Sequence, residues 1–265
     1  MAKDAIIEVD NVTRSFRSVE ILKGVTFRVR EGETVCILGG SGSGKSTLLK
    51  IMIGALRPTS GRVLVDGEDI SKMGQRELDR VRLRLGVMFQ SGALFNSMTV
   101  AENVAVPLEH HSKLDADTIE TMVKIKLQQV DMLHAADRTP AQISGGMIKR
   151  AAVARALALD PRALFLDEPS AGLDPIATAR VDQLINRLKT TMGITIMVVT
   201  HVMESVRRIA DHVIMLHRGK VFLDGTLDDL LGSQEAIVRQ FVEGDLEALA
   251  SDSGSVQTYH KDLLM

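Results

Sequence analysis

Apolar residues divide the chain into a β-rich beginning, a helical middle and an end in which strands and helices alternate. In the first part, the pattern predicts strands at residues 6–9, 25–29, 34–38 and 62–65. Gly24 and the pair Glu31-Gly32 are predicted to break these strands, and Asp66-Gly67 to form a hairpin turn. Apolar positions at helical spacing after Lys45 predict a helix, preceded by a strand that is apolar nearly throughout.

Little strand pattern remains between residues 91 and 160, where helices are predicted at 118–133 and 145–159. Strands return at residues 163–166, 195–199 and 213–216, separated by predicted helices at 177–188 and 202–209. Strands that alternate with helices are typical of a parallel sheet. The pattern therefore predicts an α/β frame with a helical insertion at about residues 91–160. A polar tail at 244–265, ending in three apolar residues, follows the frame.

Composition restricts the classes of protein to which this frame can belong. The 265 residues include 32 lysines and arginines against 34 aspartates and glutamates, and this formal net charge of −2 argues against a nucleic-acid binder. With no tryptophan and one tyrosine, the chain also offers little for base stacking. The single cysteine, Cys36, is typical of a cytoplasmic protein and is predicted to be a small core residue. No apolar run reaches the roughly 18 residues of a membrane span.

The segment between the apolar strand and its following helix fits a phosphate-binding loop. Its sequence is Gly39-Gly40-Ser41-Gly42-Ser43-Gly44-Lys45-Ser46-Thr47. Glycines allow the backbone to wrap so that successive N–H groups point at phosphate oxygens, and the helix adds the positive end of its dipole. Lys45 is expected to reach the β- and γ-phosphates, and the Ser46 hydroxyl to ligate Mg²⁺.

A later apolar strand ends in two carboxylates, Asp167 and Glu168. Many strands end in acidic residues, but beside a phosphate-binding loop the pair becomes specific. Asp167 is expected to ligate Mg²⁺, and Glu168, one step further along the chain, to lie against the attacking water. We therefore predict that Glu168 is the general base that polarises water for in-line attack on the γ-phosphate.

A second phosphate site is predicted at Ser144-Gly145-Gly146, where an N-cap serine and two glycines precede a helix. A plain capped helix would have the same sequence. One nucleotide cannot use both this segment and the complete loop of the same chain unless the nucleotide lies between two subunits. The hypothesis of a functional segment at Ser144 therefore requires a dimer.

The order of these segments resembles the ATP-binding cassette (ABC) ATPases. In chain order, the resemblance rests on the phosphate-binding loop, Gln90, Ser144-Gly145-Gly146, Asp167-Glu168, Asp174 and His201, and it covers about residues 6–225. It implies one ABC ATPase domain over residues 1–243, a P-loop NTPase core with an N-terminal antiparallel β subdomain and an inserted helical subdomain. It also implies a head-to-tail homodimer that holds two ATP molecules.

The same resemblance implies roles for residues outside the two main motifs. Gln90 would reach Mg²⁺ and the attacking water, His201 would contact the γ-phosphate, and Asp174 would lie at the dimer interface. The family's adenine-stacking aromatic lies on an early strand, where Phe16 is the nearby residue. The signature departs from the usual Leu-Ser-Gly-Gly-Gln only at its two ends, which are Ile143 and Met147 here.

Further stretches resemble the ATPases of Mce-associated lipid transporters, among them the Mla phospholipid transport system of the Gram-negative envelope. They are the Ser-Gly-Gly-Met signature and residues 89–95, 238–241 and 259–264. The resemblance implies phospholipid transport between the inner and outer membranes, driven from the cytoplasmic face of the inner membrane. The implied partners are integral membrane permease subunits, a STAS-domain cytoplasmic protein and a periplasmic Mce-domain protein. Leu94 and Phe95 fit either the core or, as the resemblance favours, a groove for a permease helix. The polar tail at 244–265 is by default a disordered terminus, and its apolar end suggests the alternative of a docking arm.

Two alternatives remain open. An ABC importer for another cargo, such as an amino acid or an ion, would have the same catalytic residues, because these residues do not encode the cargo. An ABC ATPase of DNA maintenance would share the motifs, but such proteins insert a long coiled coil between the Gln and Ser-Gly-Gly segments. The interval from Gln90 to Ser144 is too short for that insertion.

Overall fold

The structure, a computed structural model, describes residues 5–243 of the chain, so the predicted tail at 244–265 lies outside the described residues. In chain order, the strands are β1 Ala5–Phe16, β2 Val19–Arg30, β3 Thr34–Leu38, β4 Ser60–Val65, β5 Glu68–Asp69, β6 Leu85–Met88, β7 Ala163–Asp167, β8 Thr195–Val199, β9 His212–His217 and β10 Lys220–Gly225. The helices are α1 Lys45–Met52, α2 Gln75–Arg82, α3 Val100–His111, α4 Ala116–Gln129, α5 Gly145–Ala156, α6 Pro175–Met192, α7 Met203–Ile209, α8 Leu227–Gly232 and α9 Ala236–Glu243. Short 3₁₀ turns lie at Leu133–Ala135 and Pro140–Gln142.

Two sheets form the frame. A six-stranded sheet has the order β10-β9-β3-β8-β7-β6, and it is parallel except for β10, which pairs antiparallel with β9. A four-stranded antiparallel sheet has the order β2-β1-β4-β5. The predicted α/β class, with a parallel sheet and an antiparallel β unit near the N-terminus, is confirmed.

The central strands are apolar throughout because both faces of the six-stranded sheet are covered. In β3, Val35 and Ile37 pack with the antiparallel sheet and α1, whereas Cys36 and Leu38 pack with the helices on the opposite face. All five residues of β3 and of β8 are buried. Continuous burial removes the alternation of polar and apolar residues that a half-exposed strand would show. Cys36 is therefore the core residue that its position in the strand predicted.

The first two strands are much longer than the four- and five-residue strands predicted at 6–9 and 25–29, and Gly24 does not end a strand. The pairing of β1 with β2 shifts register on both sides of Val12, and Asn11 there has a φ of 47°. A Cβ added at Gly24 would lie 2.8 Å from the Asn11 Oδ1 atom, so the glycine allows close approach at a bulge. The bulges interrupt the period-two pattern, which explains why only parts of each strand were predicted.

Several elements were not predicted, most of them polar or short: α2, α3, α8, α9, β5, β6 and β10. Helix α2 buries only Leu78 and Val81, and β6 has four residues, one of them Gly86. The turn at Asp66-Gly67 was predicted correctly, with φ values of 52° and 77° between β4 and β5. The predicted helices start and end within a few residues of α4, α5, α6 and α7.

Helices α3, α4 and α5 lie between β6 and β7 in the chain, in the region where the strand pattern disappears. They pack against one another through an apolar cluster that includes Val104, Leu108, Leu127 and Val153, all buried. The same cluster continues into Leu164 and Leu166 of β7, which joins this helical segment to the sheet. Within residues 5–243, no helix is both long and apolar enough to cross a membrane.

Candidate functional site

The order of strands in the parallel sheet brings three of the predicted segments to one edge. Strand β8 lies between β3 and β7, with Ile37 opposite Val199 and Val199 opposite Asp167. The turns that leave these strands are the glycine-rich loop, the Asp167-Glu168 pair and the Thr200-His201 pair. Carboxyl ends of parallel strands form the binding crevice of open α/β sheets.

The glycine-rich loop passes close to β2 and β9, and it requires glycine at two points. Gly39 has a φ of 142°, and an added Cβ would lie 2.2 Å from the Leu216 carbonyl oxygen. Gly44 has a φ of 105°, and an added Cβ would lie 2.6 Å from the Leu22 side chain. The tight path turns the backbone into the N-terminus of α1, which has no side-chain cap and no acidic residue in its first turn. The first N–H groups of α1 are therefore available to an anion.

Lys45 and Ser43 point their polar atoms into this loop. The Lys45 ammonium donates to the carbonyl oxygens of Gly39, at 2.7 Å, and Gly40, at 3.0 Å. The Ser43 hydroxyl is buried and has no hydrogen-bond partner among the described residues. Burial lowers the pKa of Lys45, although the nearby Glu168 and Asp167 carboxylates act in the opposite direction. A phosphate group would supply the acceptor that the Ser43 hydroxyl lacks and a further acceptor for the Lys45 ammonium, which has three N–H donors.

Glu168 is held beside His201 at the edge of the sheet. Its N–H donates to the Val199 carbonyl at 2.8 Å, and its φ of 49° lies in the left-handed region. The His201 Nδ1 atom lies 2.9 Å from Glu168 Oε1. Because a carboxylate oxygen can only accept, Nδ1 is the donor in this contact. The second oxygen, Oε2, is buried and unpartnered within the part of the chain that the structure describes.

Asp167 lies in the same electrostatic environment. Burial, and then the charge of Glu168, raise the pKa of Asp167, and Lys45, Lys50 and Lys149 oppose this shift. Two carboxylates and three ammonium groups thus act on one another at the carboxyl edge of the sheet. The predicted grouping of Lys45, Asp167, Glu168 and His201 agrees with this geometry.

Sequence reasoning missed Lys149, a buried residue of α5. Its ammonium donates to the carbonyl oxygen of Gln90 and, at 3.3 Å, to the carbonyl oxygen of Glu168. The Gln90 side chain is exposed at the end of β6, the strand next to β7. Lys149 therefore connects the Gln90 turn with the Glu168 turn. A lysine in a helix next to an arginine gives no sign of burial in the sequence.

Ser144 and Asp174 are exposed and cap other helices. The Ser144 hydroxyl accepts from the Met147 N–H at 3.3 Å at the start of α5, and the Asp174 carboxylate accepts from the N–H groups of Ile176 and Ala177, both at 2.9 Å. No hydrogen bond between described residues joins either cap to the glycine-rich loop of the same chain.

Gly145 and Gly146 lie against the Asp174 segment. An added Cβ at Gly145 would lie 3.5 Å from Leu173, and one at Gly146 would lie 3.6 Å from Ala177. The Ser144 and Asp174 turns are therefore neighbours in one surface.

Phe16 lies at the end of β1, and 45% of the residue's surface is exposed. The Arg14 guanidinium stacks over this ring, with its central carbon 4.5 Å from the ring centroid. Phe16 is paired with Val19 in the β1–β2 hairpin, and Leu22 of the same hairpin touches the glycine-rich loop. An exposed aromatic near that loop is suited to stacking on a base.

A family model described as "ABC transporter" matches residues 22–171, more than half of the chain. The chain belongs to the ABC transporter family. The match spans the glycine-rich loop, Gln90, the Ser144 segment and the Asp167-Glu168 pair, so the predicted ATP-binding cassette is confirmed.

Similar members of the ABC family are ATP-binding subunits of transport systems. The chain is 41% identical to the intermembrane phospholipid transport system ATP-binding protein MlaF of Haemophilus influenzae, over 97% of this chain and 98% of the relative. It is 39% identical to MlaF of Escherichia coli K12, over 92% and 91% of the two chains. It is 43% identical to the probable ribonucleotide transport ATP-binding protein mkl of Mycobacterium leprae, over 92% and 70%.

Solved ABC cassettes have the same fold. One is the cassette MJ0796 as a dimer in a post-hydrolysis state, bound to ADP and Pi, with a TM-score of 0.77 and 32% identity over 83% of this chain and 98% of that one. Another is cbiO1 of Clostridium perfringens, part of the ABC transporter complex cbiONQ, with a TM-score of 0.81 and 31% identity over 94% and 100%. The predicted fold of the ABC nucleotide-binding domain is therefore confirmed.

Proposed function

We propose that the chain is the ATP-hydrolysing subunit of a membrane ABC transporter that drives phospholipid transport between the inner and outer membranes of the Gram-negative envelope. The observation that carries the hydrolytic part is the 2.9 Å contact between Glu168 and His201 at the sheet edge that also holds the loop of Lys45. The phospholipid cargo is supported by the similarity to MlaF from two organisms, over nine tenths or more of each chain.

Glu168 acts as the general base on water. The Glu168 Oε2 atom has no hydrogen-bond partner in residues 5–243 and can accept a proton from water as the water oxygen attacks the γ-phosphorus. His201 holds the other carboxylate oxygen and so orients the group. When the imidazole is protonated, its Nε2–H is a further donor for a γ-phosphate oxygen. Lys45 and the N–H groups of the loop stabilise the negative charge of the phosphates.

The residues at the site also fit Mg²⁺. This ion is usually held in nucleotide sites by one or two carboxylates, water and the substrate's own phosphates. Asp167 supplies the carboxylate, and the Ser46 hydroxyl and Gln90 side-chain oxygen are the proposed further ligands. Burial and the charge of Glu168 raise the pKa of Asp167, so the ionised carboxylate is unfavourable at this position. A cation bound here would stabilise it. When bound, Mg²⁺ polarises the phosphate oxygens.

The complete site needs two copies of the chain. Ser144 and Gly145 are exposed in this chain and Gly146 is half-buried, and none of the three is hydrogen-bonded to the chain's own phosphate loop. In the proposed head-to-tail homodimer, Ser144-Gly145-Gly146 of one copy bind the γ-phosphate held by the loop of the other, and Asp174 lies at the interface. The similar cassette MJ0796 forms a dimer bound to ADP and Pi, which supports this arrangement.

The remaining proposals follow from membership of a lipid transporter. Residues 1–243 form the ABC ATPase domain, with the helical segment at about 91–160 as its inserted subdomain. Phe16 stacks on adenine. The chain lies on the cytoplasmic face of the inner membrane, where exposed Phe95 and half-buried Leu94 contact a permease helix. The further partners are a STAS-domain protein and a periplasmic Mce-domain protein, and the tail at 244–265 is a docking arm.

Two measurements test the hydrolytic proposal. Glu168→Gln should bind ATP with wild-type affinity in calorimetry and lose at least about a hundredfold in turnover, because a neutral amide cannot accept the proton. Lys45→Ala should instead lose ATP affinity. Turnover near the wild-type rate in Glu168→Gln would remove Glu168 as the base, and unchanged affinity in Lys45→Ala would remove the loop as the phosphate site.

The cargo requires a separate test, because the mycobacterial relative is named for ribonucleotide transport at a similar identity. The chain should be purified from membranes together with its permease, and bound molecules extracted and identified by mass spectrometry. Phospholipid that is enriched over the surrounding membrane, and whose amount changes on ATP hydrolysis, would support the proposal. Bound nucleotide, amino acid or metal ion in the permease would instead indicate another cargo.

A further inference from the structure

Lys149 is a buried cation with an unusual set of partners. It lies on the second turn of α5, the helix capped by Ser144, and 7% of its surface is exposed. Its ammonium donates to the backbone carbonyls of Gln90 and Glu168, which follow the adjacent strands β6 and β7. The Lys149 side chain thus joins the Gln90 turn and the Glu168 turn to helix α5.

A second buried lysine shows what a structural role looks like in this fold. Lys126 of α4 is 3% exposed, and its ammonium is neutralised by the carboxylate of Asp160. Lys149 has no carboxylate within ion-pair distance among the residues that the structure describes. Burial lowers its pKa, with Glu168 and Asp167 opposing the shift. A buried ammonium without an ion-pair partner is unfavourable, so a contribution to the geometry of the site would explain its presence.

The Glu168 turn needs external support. A non-glycine residue at a φ of 49° is in a sparsely populated conformation. The Glu168 N–H is fixed by Val199, and its carbonyl accepts from both Lys149 and the Ala171 N–H, at 3.2 Å in the latter case. These contacts determine the direction in which the carboxylate leaves the backbone, and therefore its contact with His201.

We propose that Lys149 is a positioning residue for ATP hydrolysis: its ammonium fixes the Gln90 and Glu168 turns relative to α5. The proposal rests on the proposed function. It has a consequence for the dimer, because α5 is capped by Ser144, which in the proposed dimer serves the nucleotide of the other copy. Lys149 connects the base of one nucleotide site with the phosphate contact of the second site.

The test compares Lys149→Met with Lys126→Met in the full chain, since both changes remove a buried ammonium and keep an unbranched apolar side chain. For Lys149→Met we expect a fall in kcat of at least about tenfold, with the Kd for ATP within about twofold of wild type, because the phosphate loop is untouched. For Lys126→Met we expect lower thermal stability and a kcat near wild type. Equal kcat values in the two folded variants would overturn the proposal.

A double-mutant cycle separates positioning from general damage. If Lys149 acts mainly through Glu168, adding Lys149→Met to Glu168→Gln should lower the single-turnover rate with radiolabelled ATP much less than Lys149→Met lowers it alone, and any remaining loss reports the Gln90 turn. A further tenfold loss would overturn the proposal. Lys149→Gln, whose shorter amide cannot span both carbonyls, replaces the Met variant if the latter does not fold. The same fall in kcat is expected for this variant, and a wild-type kcat would refute the role.

The outcome for the wild-type chain separates this proposal from the proposed function. A wild-type chain that binds ATP but does not hydrolyse it, alone and with its permease, would overturn the hydrolytic function and the role of Lys149 with it. An active wild-type chain with an equally active Lys149→Met variant would overturn the role of Lys149 only.

Discussion

The glycine-rich loop makes a quantitative prediction at Gly39. In Gly39→Ala, the new Cβ would lie 2.2 Å from the Leu216 carbonyl oxygen and 2.7 Å from the Ser43 hydroxyl, at a φ of 142°. The backbone strain costs about 1–3 kcal/mol and overpacking about 1–3 kcal/mol. Leu216 belongs to β9, which pairs with β3, so the carbonyl cannot move away without breaking the sheet. We therefore expect the free energy of unfolding to fall by about 2–6 kcal/mol.

Part of this strain can be relieved if the loop shifts, which would turn its N–H groups away from the phosphates. Gly39→Ala should therefore also weaken ATP binding by at least about tenfold, or about 1.4 kcal/mol. Urea denaturation measures the first effect, and calorimetric titration with ATP measures the second.

The control for Gly39→Ala is Gly67→Ala in the β4–β5 turn. Gly67 also has a positive φ, 77°, but no atom lies within 4 Å of an added Cβ. In this variant the free energy of unfolding should fall only by the conformational cost of about 1–2 kcal/mol, and ATP should bind as it does to wild type. If Gly39→Ala were no less stable than Gly67→Ala and bound ATP equally well, the reasoning from close approach would be wrong.

Three further predictions concern the interface, pH and the cysteine. Ser144→Arg should abolish hydrolysis while the monomer still binds ATP in calorimetry, and retained hydrolysis would contradict the two-subunit site. Hydrogen bonding to Glu33, with Asp224, raises the pKa of His212 above 6.5. The contribution of protonated His212 to the free energy of unfolding is therefore complete below about pH 6.5, and it is lost as the pH rises through the pKa of His212 in the folded chain. In urea denaturation, His212→Gln should therefore lower the free energy of unfolding more at about pH 6 than at about pH 9. Burial raises the pKa of the Cys36 thiol, so a maleimide should label it only at the rate of unfolding, and fast labelling of the native chain would refute its burial.

Segments whose chemistry depends on neighbours in the chain could be predicted from the sequence. The phosphate loop needs glycines, Lys45 and a helix start in one run, and the buried strands β3, β7 and β8 are continuous apolar runs. The Asp167-Glu168 pair became specific only because the loop was also present. Each motif is a run of about ten residues or fewer, and the loop that made the pair specific is itself visible in the sequence, so no knowledge of the tertiary fold was needed.

The features that were missed depend on contacts between distant residues. Lys149 contacts the carbonyls of Gln90 and Glu168, which lie far away in the chain, and its own surroundings in α5 do not indicate burial. The antiparallel strand β10 alternates between exposed and half-buried residues, so its apolar signal is weak.

The exposed surface around Ser144 and Asp174 argues for an incomplete site in a single chain. The two caps are adjacent through the contact between Gly145 and Leu173. Two residues after Asp174, the side chain of Ile176 is 69% exposed. The phosphate loop, base and His201 lie at the sheet edge, whereas this second surface combines free backbone donors with an exposed apolar side chain. Such a surface fits contact with a second subunit and the phosphate which that subunit binds. Burial in the interface would remove the isoleucine side chain from water, and the phosphate would give the glycine N–H groups a specific acceptor. This division of residues between two surfaces is what the proposed two-subunit site requires, with the base on one chain and the further phosphate contacts on the other.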